Sequence, residues 1–261
     1  MNNFLSTLWI ETLKMRRSKV PLFTALGFSM APLAGGLFMI ILKDPEAAKA
    51  MGLISAKAQL MVGVADWTAF FDLITQAVAA GGLVLFSITT IWIFGREFSD
   101  HTVKELLALP TSRETIITAK FIVILVWSFA MTLLIFGVGL VVGTLVVIPG
   151  WSAELIRTSF MNILGSVALT LPLMSLVALV ASAGRGYMPP FGWTIFTMVL
   201  ANIAAVMGWG DWFPWAIPSI FSGAAGPQEQ LELHSYVIVV VTGIIGLVAT
   251  YYWWRNADQT R

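Results

Sequence analysis

The chain has 261 residues, of which 58% are hydrophobic and only 11% charged, with a mean hydropathy of +0.85. Soluble domains carry about 25% charged residues, so the composition excludes an ordinary water-soluble fold. A net charge of +1 scattered over short connections offers no basic face for nucleic acid, and the absence of cysteine removes disulfides and thiolate metal sites.

In chain order, residues 1–19 set Phe4, Leu8, Leu13 and Met15 among Thr, Glu, Lys and Arg. This pattern predicts a helix lying in the membrane interface, against the alternative of a disordered basic tail. Apolar windows then predict six transmembrane helices, near 21–42, 70–94, 116–148, 158–183, 188–210 and 235–254. Each meets the roughly 20 residues needed to cross about 30 Å of hydrocarbon. The expected architecture is an all-α membrane protein forming one domain over 1–261. The first window is too long for a signal-peptide core and lacks a clear cleavage site, so it is expected to stay as an anchor.

Six spans put both termini on one side. That side holds eleven bases (Lys14, Arg16, Arg17, Lys19, Arg96, Lys104, Arg113, Lys120, Arg185, Arg255 and Arg261), against four on the other (Lys43, Lys49, Lys57 and Arg157). The positive-inside rule then makes the termini cytosolic and the location the plasma (inner) membrane.

The outer connection 43–67 is expected to hold a short surface helix over 51–61. Asp66 and Asp72 follow, flanking Trp67, Phe70 and Phe71; a carboxylate near a helix start suits the macrodipole, and Asp72, lying deeper, is the better functional candidate. Gly137, Gly139 and Gly143 allow close approach in the third span, and Pro172 should kink the fourth. The connection 184–190 is a tight turn bearing Arg185. From 209 to 228 the chain is too apolar for a solvated loop and too rich in Pro and Gly for one helix. Trp212, Phe213, Pro214, Trp215, Ile217 and Pro218 are accordingly read as a candidate outer gate in a re-entrant segment, with an aromatic belt as the simpler explanation of the tryptophans.

The inner connection 95–115 is the most substantial charged segment between two apolar runs. Over 96–109, Phe98, Val103, Leu106, Leu107 and Leu109 interleave with Arg96, Glu97, Asp100, Lys104 and Glu105, a pattern that predicts an amphipathic helix across the membrane face. Pro110 stops it, and Thr111 or Ser112 can cap the next helix. No phosphate-binding GxxxxGK[ST] loop occurs, so the chain lacks that device for ATP. His101 and His234 belong to opposite sides, and Ser222 has no base beside it, which argues against metal or hydrolytic chemistry.

Glu97, Thr102, Leu106, Leu107, Pro110, Ser112 and Arg113, followed by Ala119 and Lys120, resemble the ExxxxTxxxLLxxPxSR motif of type-2 ABC exporter permeases, in particular the bacitracin-resistance and lantibiotic-immunity group. Glu11, Leu13, Lys14, Arg17, Ser18 and Lys19 are similar to the opening of that family, and Phe213, Pro214, Trp215, Ile217 and Pro218 to its outer segment. The resemblance implies one half of an exporter of amphiphiles, such as peptide antibiotics, lipid-linked molecules or drugs. It implies a homodimer or a pair with a related second permease, and a separate ABC-type ATPase that binds ATP and Mg, with no cofactor on this chain. Coupling to that ATPase would run through Glu97, Asp100, Thr102, Lys104, Leu106, Leu107, Pro110 and Arg113. A membrane-embedded sensor or assembly factor using the same loop is the competing class.

Overall fold

The computed structural model describes residues 3–44, 52, 64–108, 110–224 and 231–256. The expected surface helix over 51–61 and the last part of the outer run, 225–228, lie outside the described residues. Among those described, all regular structure is helical: α1 (Asn3–Arg17), α2 (Val20–Lys43), α3 (Trp67–Ser99), α4 (Val103–Leu107), α5 (Arg113–Leu145), α6 (Ala153–Thr170), α7 (Met174–Ala183), α8 (Met188–Val206), α9 (Ile217–Phe221) and α10 (Leu233–Asn256). Six helical units are long and apolar enough to cross a membrane: α2, α3, α5, the α6–α7 unit, α8 and α10. The chain is a multi-pass membrane protein.

The spans run alternately up and down, so α1, the end of α3, the starts of α5 and α8 and the end of α10 share one end of the bundle. That end, holding both described chain termini, is the terminal face; the opposite end is the far face. Helix α3 is the most buried span and packs against α2, α5, α6, α7 and α8. Its core side chains, among them Phe70, Phe71, Ile74, Val78 and Phe86, are sealed from solvent. Peripheral spans turn apolar residues outward, as Leu22, Phe23, Leu26 and Met30 do on α2. In lipid such a surface carries no hydrophobic cost.

Helix ends depart from the apolar windows for local reasons. Asp66 caps α3, its carboxylate accepting the Ala69 N–H at 2.8 Å, so this span starts at Trp67 rather than near 70. Asp72, nearly two turns later, is exposed rather than turned into the bundle. Ser112 caps α5 through the Thr115 N–H at 3.2 Å, and Ser152 caps α6 through the Leu155 N–H at 3.1 Å, five residues ahead of the expected start. Pro172 cannot donate a helical hydrogen bond, and the chain narrows to a 3₁₀ turn at Leu171–Leu173 between α6 and α7. Of the three α5 glycines, Gly143 faces the Trp67 ring and Gly139 faces Ile74, whereas Gly137 faces open space. Helix α8 ends at Val206, short of 210, where Gly208 takes a left-handed φ of +75°.

Candidate functional site

The inner connection folds differently from one amphipathic helix over 96–109. Charges at Arg96, Glu97 and Asp100 end the apolar run but not the backbone hydrogen bonding, so α3 continues to Ser99. Arg96 Nε donates to Asp100 Oδ2 at 3.1 Å, one helical turn on, and its guanidinium sits 5.0 Å over the Trp92 ring. The helix then closes in a Schellman turn: the Thr102 N–H donates to the Glu97 carbonyl at 2.9 Å and the His101 N–H to the Phe98 carbonyl at 3.3 Å. His101 takes the left-handed position at φ 58°, where glycine is usual.

That turn redirects the chain into α4, which has only five residues. Val103 is buried and Leu106 half-buried against a core that includes Met15, Phe98, Ile117 and Trp254. Lys104 and Glu105 face outward, as do Asp100 and Pro110, and Thr102 is half-buried. Leu109 and the side chain of Leu107 lie outside what is described.

Glu97 stands apart from this exposed group. It is 3% exposed and faces the interior of the terminal face, where Lys120 of α5 is fully buried. Lys120 Nζ donates to Glu97 Oε1 at 2.8 Å, to Glu11 Oε2 at 3.1 Å and to the Ile93 carbonyl at 2.7 Å, which uses all three of its donors. Lys14 Nζ completes the ring, donating to Glu11 Oε1 at 2.7 Å and to Glu97 Oε1 at 3.1 Å. Two carboxylates thus meet two ammonium groups, and the cluster is neutral. Only Glu97 Oε2 among these atoms lacks a hydrogen bond. Burying charges is costly unless they are paired, so the arrangement locks α1 to α3 and α5. Its four members come from the opening, the end of the second span and the start of the third.

Arg113 likewise turns away from α4. Its Nη1 donates to the Trp254 carbonyl at 2.8 Å and approaches that of Arg255 at 3.3 Å, placing a cation at the C-terminal end of α10. Trp254 Nε1 donates to Ser182 Oγ at 2.9 Å, and the Thr118 hydroxyl meets that of Tyr251 at 2.6 Å. The last span is therefore tied to α5 and α7 at the terminal face. The sequence signal for these contacts is a polar residue at the margin of an apolar window; nothing in the sequence identifies the partners of Glu11, Lys14 and Lys120.

At the far face the described part of the outer run is a 3₁₀ turn, Gly210–Trp212, followed by α9. Ile217, Pro218 and Ile220 are buried, and Trp215 stands edge-on to Trp193 of α8 at 5.9 Å. Phe213 and Pro214 are half-buried. Phe221 occupies the space that a side chain at Gly165 of α6 would need. Trp212 is exposed and stacks on His234 at 4.3 Å, and His234 Nε2 lies 3.2 Å from Asp211 Oδ2.

Comparison with known proteins adds two findings. The model of the family described as ABC-2 family transporter protein matches residues 7–202, from α1 into α8. The chain is also similar to the Bacitracin transport permease protein BCRB of Bacillus licheniformis, with 28% identity over 193 residues, covering 72% of this chain and 91% of the relative.

Proposed function

This chain belongs to the ABC-2 family of transporter proteins, and from that membership we propose that it is the membrane-spanning half of an ATP-driven exporter whose motor is a separate ATPase subunit. ATP and Mg would bind to that partner, since the chain carries no phosphate-binding loop. Two such permeases, identical or related, would stand side by side. The excess of eleven bases over four supports cytosolic termini in a plasma membrane and makes the terminal face the docking side. The exported molecule would be an amphiphile, in keeping with spans whose exposed surfaces are apolar.

The observation that carries this reading is the junction of α4 with the charge cluster. The turn into α4 is closed by a hydrogen bond to the Glu97 carbonyl, while the Glu97 side chain is held by Lys120 and Lys14. A force on α4 would therefore reach α3, α5 and α1 together. In this scheme Asp100, Thr102, Lys104, Leu106, Leu107 and Pro110 form the surface presented to the ATPase, and Glu97 and Arg113 act behind it by stiffening the spans. At the far face, the segment from Trp212 to Pro218 would dip into the outer leaflet and gate the exit.

The test is co-purification with the partner ATPase followed by an activity assay. The chain alone should not hydrolyse ATP, and the complex should hydrolyse it at a rate that responds to amphiphiles. Tight ATP binding by the isolated chain, or a complex with no substrate response, would refute the proposal.

A further inference from the structure

Beside the charge cluster, the terminal face holds an open cavity of about 450 Å³ whose wall includes Lys14, Arg17, Ser18, Arg96, Tyr187 and one carboxylate, Asp100. An apolar groove of about 400 Å³ adjoins it, lined by Val20, Ile88, Ile91, Met188 and Phe191. Trp92 and Tyr187 line both. Three elements cross from one to the other in the same direction: Arg17 and Ser18 lead into Val20 of α2, Tyr187 leads into Met188 of α8, and Arg96 sits one turn above Trp92 and two above Ile88 on α3. All three run from polar to apolar, and on α3 the order is charged, aromatic, aliphatic (Arg96, Trp92, Ile88), as met on passing from head groups into hydrocarbon.

We propose that this cavity and the adjoining groove form a binding site for one anionic phospholipid, its phosphate held among Arg17, Arg96 and Lys14 and an acyl chain lying along Ile88, Met188 and Phe191. Charge supports an anion. Arg96 already has Asp100, and Lys14 faces Glu11 and Glu97, but Arg17 has no carboxylate partner among the described residues. Arg16 and Lys19 beside it are exposed and equally without one. Shape supports a lipid over a free anion: the basic cavity and the apolar groove share Trp92 and Tyr187, and Met188 and Phe191 of the groove are exposed. Burial, and then the charge of Asp100, pushes the Tyr187 phenol above its ordinary range, so it stays a neutral hydrogen-bonding group at the boundary. The site belongs to the fold itself and does not depend on the direction of transport.

The experiment uses the full chain in detergent, stripped of co-purified lipid and titrated with phosphatidylglycerol or with phosphatidylcholine of the same acyl chains. Bound lipid is counted by native mass spectrometry. The wild type should retain phosphatidylglycerol in preference. Arg17→Gln should weaken that lipid about fivefold, the effect of one base near an anionic surface, and leave phosphatidylcholine unchanged. Phe191→Ala should weaken both. Because Arg17 touches no described acidic side chain, Arg17→Gln should keep the wild-type circular dichroism and unfolding temperature without lipid. Equal retention of the two lipids by the wild type, an unchanged or non-selective loss in Arg17→Gln, or full displacement by inorganic phosphate would overturn the assignment.

Discussion

Lys120 of α5 and Glu97 of α3 meet at 2.8 Å with the lysine sealed from solvent, although 23 positions separate them in the chain. Glu11 and Lys14 close the ring from α1, so the first helix is held by charge as well as by packing. Lys120→Ala should cost about 3 to 5 kcal/mol, because it leaves carboxylates buried without their base. The double variant Lys120→Met with Glu97→Gln keeps the Glu11–Lys14 pair and should be less destabilised than Lys120→Ala. Unfolding of all the variants in detergent checks this; a double variant as unstable as the sum of its single changes would show no coupling across the pair.

The α5 glycines give a contrast within one helix. At Gly143 an added methyl group would overlap the Trp67 ring, so Gly143→Ala should destabilise by about 1 to 3 kcal/mol. Gly137 faces open space, and Gly137→Ala should be neutral or stabilise by up to about 1 kcal/mol through reduced backbone entropy. Thermal unfolding separates the two; equal effects would mean that the α5–α3 contact is not this tight.

Arg113 holds the end of α10 through the Trp254 carbonyl at 2.8 Å. Arg113→Ala should cost about 1 to 2 kcal/mol, a charged hydrogen bond discounted for partial exposure. The loss should show as faster amide exchange over 250–256, and Arg113→Lys should restore part of the protection. Unchanged exchange in the alanine variant would leave the helix end held by Trp254 and Tyr251 alone.

Reversing the exposed charges of α4, with Lys104→Glu and Glu105→Lys together, should leave membrane insertion intact. Stimulation of the partner ATPase should drop by about tenfold, the effect of losing roughly 1.4 kcal/mol at an interface. Leu106→Asp should do the same, since Leu106 also fastens α4 to the core beneath it. Full stimulation in both variants would reduce this connection to a linker.

The chain has no cysteine, so single cysteines report cleanly on the far face. Ile217→Cys and Ile220→Cys, both at buried positions, should react about tenfold more slowly with a membrane-impermeant thiol reagent than Glu232→Cys, whose side chain is 79% exposed. Trapping the partner ATPase with ATP should raise labelling at the two slow positions. Uniform labelling in every state would describe a solvated loop instead of a gate.

The amino-acid sequence by itself determined the class of this protein and its count of six spans. Length and hydropathy suffice for that, because hydrocarbon tolerates only backbone that bonds to itself, and an apolar run near 20 residues has one stable form there. A cap at Thr111 or Ser112, which the structure gives to Ser112, and the break at Pro172 were equally legible, since each depends on neighbours within a turn. The end of α3 was not. Apolar character stops at Phe94, but helical hydrogen bonding continues to Ser99, because Arg96 and Asp100 sustain it from the polar side. The charge cluster was legible only as four separate residues. What joins Glu11, Lys14, Glu97 and Lys120 is the packing of three helices at one depth, a property of tertiary distance that no local pattern encodes. The tertiary structure alone also turned Arg113 toward α10 and brought Arg17, Arg96 and Tyr187 around one cavity, because each faces a helix remote in the chain.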